Sequence, residues 1–449
     1  MNASSSIISS ASNFVAHAPG RVYPEDVAQL ARMCLADWYG VSLGARGEPA
    51  GEAVCRLVTG WRSHGRAPLL FGGAAAPAPA ALANGTFAHC LDFDDLHFPS
   101  LSHLSAPTWA AVLALGAETG AGEQAMLGAF ITGFEIGAKL GSNGVGEAVS
   151  ARGWHSTGVV GRLAAAAASA ALLGLDHESA AHALGLAATQ TSGLTASFGT
   201  DSKPFHAGRA AFDGVIAAQL ARDGFRAATD LLDRDDGLSR ALVQDGAARM
   251  RIEGLGIQWE LRRNAIKPYA CCGLTHAPVD AARQLSSKIG AAEVRSAHLT
   301  VHPLTPKVAS KNPTSPLAAK FSVTFCVALA LRGYRASARD FSPERIADRA
   351  ITDLAAKVAV VPEQDMAASA ARLDVLLADG RKLRADVPVS LGNPENPMSW
   401  DDLHEKFMAL VDPVAGERAQ RIFAAARAFG SGPRAEGLLL AAEMVPAAV

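Results

Sequence analysis

From Pro24 to Arg222 the apolar residues of this chain recur at helical spacing, and most of them are small. Small side chains at that period let helix backbones approach closely, which confines the fold to tightly apposed helices. Gly158 to Leu173 is rich in alanine and leucine, and Gly174 closes it as a C-terminal glycine cap. Asp176 is placed to cap the next helix, HESAAHALGLAATQT. The same spacing predicts helices over Pro24–Leu43, Trp109–Thr119, Glu123–Leu140 and Gly208–Arg222. Gly128, Gly133 and Gly137 within one of them point to close packing, since glycine otherwise weakens a helix. Strand periodicity is nearly absent before about residue 260, so the large domain is expected to be all-α.

The pattern changes near Lys267. His298–His302 alternates as a strand, and Arg372–Leu377, Asp379-Gly380 and Lys382–Val389 read as a hairpin with an Asp-Gly turn. Helical segments at Ala277–Lys288 and Ala318–Leu331 complete a smaller α/β unit, and Ser399 with Asp402 signals the start of a final helix. A chain of 449 residues exceeds what one core usually serves. The expected organisation is therefore a helical domain over 1–266, completed by 398–449, with an α/β lid inserted over 267–397.

Charge balance narrows the partners. Forty-one basic against 43 acidic residues give a net charge of −2, with no broad footprint for nucleic acid or an anionic membrane. The first basic residue is Arg21, which argues against a secretory signal, and the uncharged run Leu163–Leu175 is too short to cross a bilayer. The six cysteines contain no C-x-x-C pair, which argues against zinc and disulfides and fits a reducing cytoplasm. A soluble, cytoplasmic protein is expected.

Chemistry concentrates in ANGTFAHCLDFDDLHFPSLSHLSAP, residues 83–107, which holds Asp92, Asp94, Asp95, His89, His97 and His103. Pro79 in a first turn predicts a helix through Asn84 to about Asp92, with His89, Asp92 and Leu96 on one face, Asp94 pointing elsewhere, and His103 on the loop that follows. Solvated helix end, metal site and proton-transfer site all remain open on these residues alone. Further candidates are His155 before the alanine-rich helix, Lys203, His206 and Arg209 at another helix start, Lys267 to His276, and Ala319 to Phe325. Taken singly, His155 is equally a helix cap, and Lys203 and Arg209 equally surface charges. Cys271 and Cys272 read as packing residues. Gly254-Leu255-Gly256 lacks the third glycine of a dinucleotide site and no P-loop is present, so no cofactor is expected.

Together, ANGTFAHCLDFDD with His103, GWHSTG, GTDSKPFHAGRAA, KPYACCGLTHAPVDAA, AKFSVTF and GNPENPMS resemble, in order, the MmgE/PrpD family, which includes 2-methylcitrate dehydratase, cis-aconitate decarboxylase and iminodisuccinate epimerase. The resemblance implies a large helical domain, a smaller α/β lid, a homodimer, and a site between the domains that uses neither cofactor nor metal. It puts the family's functional aspartate on Asp92, its histidines on His103 and His155, and its lysines on Lys203 and Lys267. Arg209 and His276 are expected to hold substrate carboxylates. Two family hydroxyls are missing, because Leu96 stands for a threonine and Phe325 for a tyrosine, both at substrate-binding positions.

The activity implied is a cofactor-independent lyase on a small di- or tricarboxylic acid, first of all dehydration of a 2-methylcitrate-like substrate. That reaction removes a proton beside a carboxylate, stabilises the developing charge and protonates the leaving hydroxyl. Which of Asp92, His103 and His155 moves the proton stays open. Alternatives are an epimerase of a dicarboxylate such as iminodisuccinate, a decarboxylase of cis-aconitate type, and a non-catalytic carboxylate binder.

Overall fold

A computed structural model describes residues 6–244, 246–308 and 313–431, so the chain beyond Ser431, which the expected helical domain includes, lies outside the described residues. The protein is mainly α-helical and divides into two compact units, one of residues 1–265 with 403–449, the other of 266–402.

The first unit carries α1 (Ile7–Ala16), α2 (Glu25–Gly44), α3 (Pro49–Gly60), α4 (Pro77–Cys90), α5 (Ser105–Thr119), α6 (Glu123–Gly141), α7 (Val145–Ala151), α8 (Ser156–Leu172), α9 (His177–Thr189) and α10 (Ser202–Arg222). Its strands are two-residue pairings, β1 (Ala67–Pro68) with β2 (Ala74–Ala75) and β3 (Leu96–His97) with β4 (Asn264–Ala265). Asp176 caps α9 by accepting from Ser179 N, and Gly174 ends α8 at φ 65°. Helix α10 starts six residues before the expected Gly208, because Pro204 sits in its first turn, where a missing amide costs nothing.

Helix α8 is buried on nearly every face and is packed by α5, α6, α9 and α10. Such a helix needs small neighbours. A Cβ added at Gly133 of α6 would strike the Ala164 carbonyl, one at Gly137 would come 2.7 Å from the Ala164 Cβ, and one at Gly214 of α10 would come 2.6 Å from the Ala165 Cβ. On the other side, a Cβ on Gly85 of α4 would lie 3.0 Å from the Cα of Gly208 in α10. These glycines set the helix spacing directly.

The second unit holds α11 (His276–Ile289), α12 (Thr305–Val308), α13 (Pro316–Lys320), α14 (Val323–Leu331), α15 (Pro343–Ala347) and α16 (Arg349–Ala356), with β5 (Val294–Val301), β6 (Val358–Pro362), β7 (Ala371–Leu377) and β8 (Lys382–Val387). The strand order is β6-β5-β7-β8, with β5 and β6 parallel and the other pairings antiparallel. Gly380 at φ 87° makes the expected β7–β8 turn. The helix expected over Ala318–Leu331 breaks at Phe321-Ser322, where Ser322 Oγ caps α14 by accepting from Phe325 N. The chain then returns through α17 (Trp400–Ala415) and α18 (Arg418–Arg427), and Ser399 and Asp402 cap α17 reciprocally. Among the described residues no helix is long and apolar enough to cross a membrane.

If α6 and α8 are spaced by these contacts, Gly133→Ala lowers the thermal midpoint, followed by circular dichroism, by roughly 3–10 °C. Gly60→Ala at the end of α3, where an added Cβ meets open space, leaves it unchanged or slightly raised. Equal midpoints for the two variants would refute the spacing argument.

Candidate active site

Helix α4 delivers His89 and then stops at Cys90, two residues short of the expected end. Asp92 adopts φ 51°, left-handed backbone that a non-glycine residue holds only when its surroundings enforce it. This turn corrects the expected geometry. Asp92 and Leu96 do not continue a helical face with His89, and Asp94, expected to point elsewhere, is brought back to His89 Nδ1. Leu96, half-buried, enters β3 opposite Ala265.

His103 is seated by the start of α8. Its backbone amide donates to Thr157 Oγ1 at 3.0 Å, Ser102 and Ser156 share a 2.7 Å hydroxyl contact, and Ser156 Oγ donates to the Ser100 carbonyl at 2.7 Å. These bonds hold the loop beside His155.

Asp94 is the centre of the cluster. It is 2% exposed, and His89 Nδ1 donates to its two oxygens at 3.0 and 2.9 Å. His103 Nδ1 lies 3.1 Å from Asp94 Oδ2 as an ion-pair contact outside hydrogen-bond alignment, while His103 Nε2 lies 3.9 Å from Asp92 Oδ1. Burial opposes the Asp94 charge, but His103 and His89 outweigh it and hold the carboxyl well below the usual range. Burial pushes the His89 imidazole down to about 4. His89 is therefore neutral with its hydrogen on Nδ1, and its buried Nε2 has no hydrogen-bond partner among the described residues.

Lys203 closes the other side. Its Nζ lies 2.5 Å from Asp92 Oδ1 and 5.3 Å from the Phe198 ring centroid. His155 stacks on His89 with centroids 5.8 Å apart, meets Phe198 edge-on at 4.9 Å, and contacts His206 Nδ1 through its own Nδ1 at 3.1 Å. It occupies the N-cap position of α8, yet its side chain makes no capping bond. Burial first, and then the nearby Lys203 charge, lower its basicity well below that of an ordinary histidine.

A further layer fixes the aspartate loop. Lys406 of α17 donates to Asp37 Oδ1 at 2.5 Å and to the Phe93 carbonyl at 2.8 Å, both within the first unit. Asp95 Oδ2 accepts from Ser105 Oγ at 2.5 Å and Asn264 Nδ2 at 2.8 Å, whereas its buried Oδ1 has no hydrogen-bond partner among the described residues. Burial, with the neighbouring Asp37 charge, raises Asp95 to about 7.

Asp92, His103, His155 and Lys203 thus come together. Arg209 pairs with Asp213, its Nε 3.1 Å from Oδ2, an aspartate that also binds buried Arg162 at 2.9 Å. The second unit holds Lys267, His276 and Phe325. Lys267 is buried, His276 Nε2 lies 3.1 Å from the Cys271 carbonyl, and Phe325 is fully buried with its ring 6.3 Å from Phe341. His89 and Asp94 lie in the stretch that the sequence singles out and His206 is among its further candidates, but sequence reasoning gave none of the three a role in the site. For His206 a signal existed, because Lys203-x-x-His206 shares one face of α10; for Asp94 none did, since its place depends on the turn at Asp92.

The ligand-type atoms of His89, Asp94 and His103 lie within 4.8 Å of one another, a composition that suits a divalent ion. The His89 Nδ1 bond to both Asp94 oxygens favours a hydrogen-bonded arrangement, because that nitrogen then carries a proton where an ion would need its lone pair.

Imidazoles, an ionised carboxylate and a lysine are buried together at helix ends of a mainly helical protein, a set chemically able to move a proton. Residues 9–250 match the MmgE/PrpD N-terminal domain and residues 269–429 match the MmgE/PrpD C-terminal domain. The chain belongs to the MmgE/PrpD family. It is similar to the cis-aconitate decarboxylase of Aspergillus terreus, 28% identical over 93% of this chain and 91% of that protein. It is also similar to the human cis-aconitate decarboxylase, 26% identical over 74% of this chain and 72% of that one.

Asp95 provides a pH test. Its folded-state value lies above the ordinary carboxyl value of about 4, so the folded protein keeps this proton longer than the unfolded chain does. The resulting stability is complete below about pH 4 and is lost as pH rises through about 7. Relative to Asp95→Asn, a neutral isostere, the wild-type thermal midpoint falls from pH 4 to 8; a constant or rising difference would show Asp95 ionised throughout.

Proposed function

We propose that this chain is a carboxylic-acid lyase acting on a small di- or tricarboxylate, by decarboxylation of an unsaturated acid such as cis-aconitate. The observation that carries the proposal is the 2.5 Å Lys203–Asp92 ion pair, 11% and 12% exposed, beside the Asp94-anchored imidazoles. A multiply charged substrate needs a desolvated cation, and Lys203 supplies one next to groups able to move a proton. The decarboxylase relatives support this chemistry over the dehydration suggested first by the sequence.

In the proposed reaction the bond to one carboxylate breaks and carbon dioxide leaves. The released electron pair moves through the adjacent double bond, and the far carbon takes one proton. Lys203 offsets the charge of a retained carboxylate, and His103, steadied by Asp94, serves proton transfer at Nε2 with Asp92 beside it. Dehydration of a hydroxy acid is the second reading, favoured by the same acid–base set, with hydroxide rather than carbon dioxide as the group that leaves.

A proton NMR time course in heavy water, with cis-aconitate, 2-methylcitrate, citrate and iminodisuccinate, tests the choice. Decarboxylation predicts loss of cis-aconitate with new alkene signals and released carbon dioxide. An alkene arising from 2-methylcitrate would make the protein a hydro-lyase, and exchange of one carbon-bound proton without an alkene would make it an epimerase. Lys203→Ala is expected to lose at least about 100-fold in kcat/KM with an unchanged circular dichroism spectrum. Wild-type turnover in that variant would overturn the assignment.

A further inference from the structure

We propose that His206 is a positioning residue that decides which nitrogen of His155 carries the hydrogen: His206 Nδ1–H donates to His155 Nδ1, so that His155 presents an Nε2–H, not a lone pair, to a bound carboxylate substrate. The substrate part rests on the lyase reading above; the pairing of the two rings stands without it.

The argument begins with the contact itself. Two imidazole nitrogens 3.1 Å apart share one hydrogen, because two would collide and none would leave two lone pairs facing each other. The surroundings of both rings favour the neutral form. Burial lowers His155, and burial followed by the charges of Arg162 and Lys203 lowers His206. In a neutral ring the state of Nδ1 dictates that of Nε2, so the direction of this one bond sets what His155 offers at its far nitrogen.

Placement decides the direction. His155 is the N-cap of the 17-residue helix α8, whose first amides carry the positive end of the helix dipole. Its Nδ1 is the ring nitrogen closest to its own backbone and hence to that end. A lone pair is favoured there and an N–H disfavoured, leaving His206 as the donor. The half-buried His206 can expose its own Nε2 lone pair to water.

His206 is also seated rather than mobile. Gly193, at φ 113°, leaves room for the ring, since a Cβ there would come 3.0 Å from its Cγ and Nδ1. The Gly193 carbonyl accepts the His155 backbone amide at 2.9 Å, so one short segment aligns both histidines. On α10, Lys203 and His206 share a face, one reaching Asp92 and the other His155.

The test uses the full-length protein labelled with 15N-histidine. Long-range 1H–15N spectra, assigned with His155→Gln, should show His155 protonated at Nε2 in the wild type and losing that preference in His206→Phe. A wild-type His155 protonated at Nδ1, or an Nε2–H form that persists unchanged in His206→Phe, would overturn the proposal. Kinetics with cis-aconitate supply a second reading. His206→Asn, whose amide can still donate near the Nδ1 position, is expected to keep kcat within about tenfold, whereas His206→Phe loses about 100-fold in kcat with KM little changed. A packing role predicts the reverse order, with Phe tolerated and Asn not. Should the wild type leave cis-aconitate untouched, the lyase reading falls on that result while the spectra still decide the tautomer; should His206→Phe fail to fold, the wild-type and His206→Asn spectra decide it.

Discussion

The close approach of α4 and α10 at Gly85 and Gly208 is the constraint on which the site depends. With no side chain at either position the two backbones nearly touch, and the C-terminal end of α4 meets the N-terminal end of α10. His89 leaves one helix where Lys203 and His206 enter the other. Any larger residue at that crossing would separate Asp92 from Lys203, whose 2.5 Å contact leaves no slack.

Bringing ionisable groups into such a core costs free energy unless each is compensated. The protein compensates them in linked pairs: Asp94 with two imidazoles, Asp92 with Lys203, Asp37 with Lys406, and Arg162 with Asp213. Lys406 does more than neutralise, because its second bond holds the Phe93 carbonyl, between Asp92 and Asp94 in the chain. A residue contributed by the returning C-terminal helix thereby steadies the left-handed turn at Asp92. Asp95 pairs with no cation among the described residues, and burial raises its carboxyl to about 7, so it holds its proton to higher pH than an ordinary carboxyl does.

The helical scaffold was legible because its signals are local. The Asp176 cap, the glycine that ends α8 and the Asp-Gly turn between β7 and β8 each rest on a few neighbouring residues. Errors arose where local signals compete. A uniformly apolar run from Ala318 to Leu331 hid the break at Phe321-Ser322, and helical spacing carried α4 past its true end because nothing in the sequence announces a left-handed aspartate.

The sequence by itself determined the family and the mostly helical scaffold, together with the segments that carry the chemistry; these follow from residue type and short-range spacing. Tertiary structure decided that Asp94 meets both His89 and His103, and that His155 is paired with His206. Those outcomes join residues from five to 51 positions apart in the chain. They turn on ångström-scale helix spacing and on one backbone reversal, quantities set by the sum of all packing contacts and not by any local stretch.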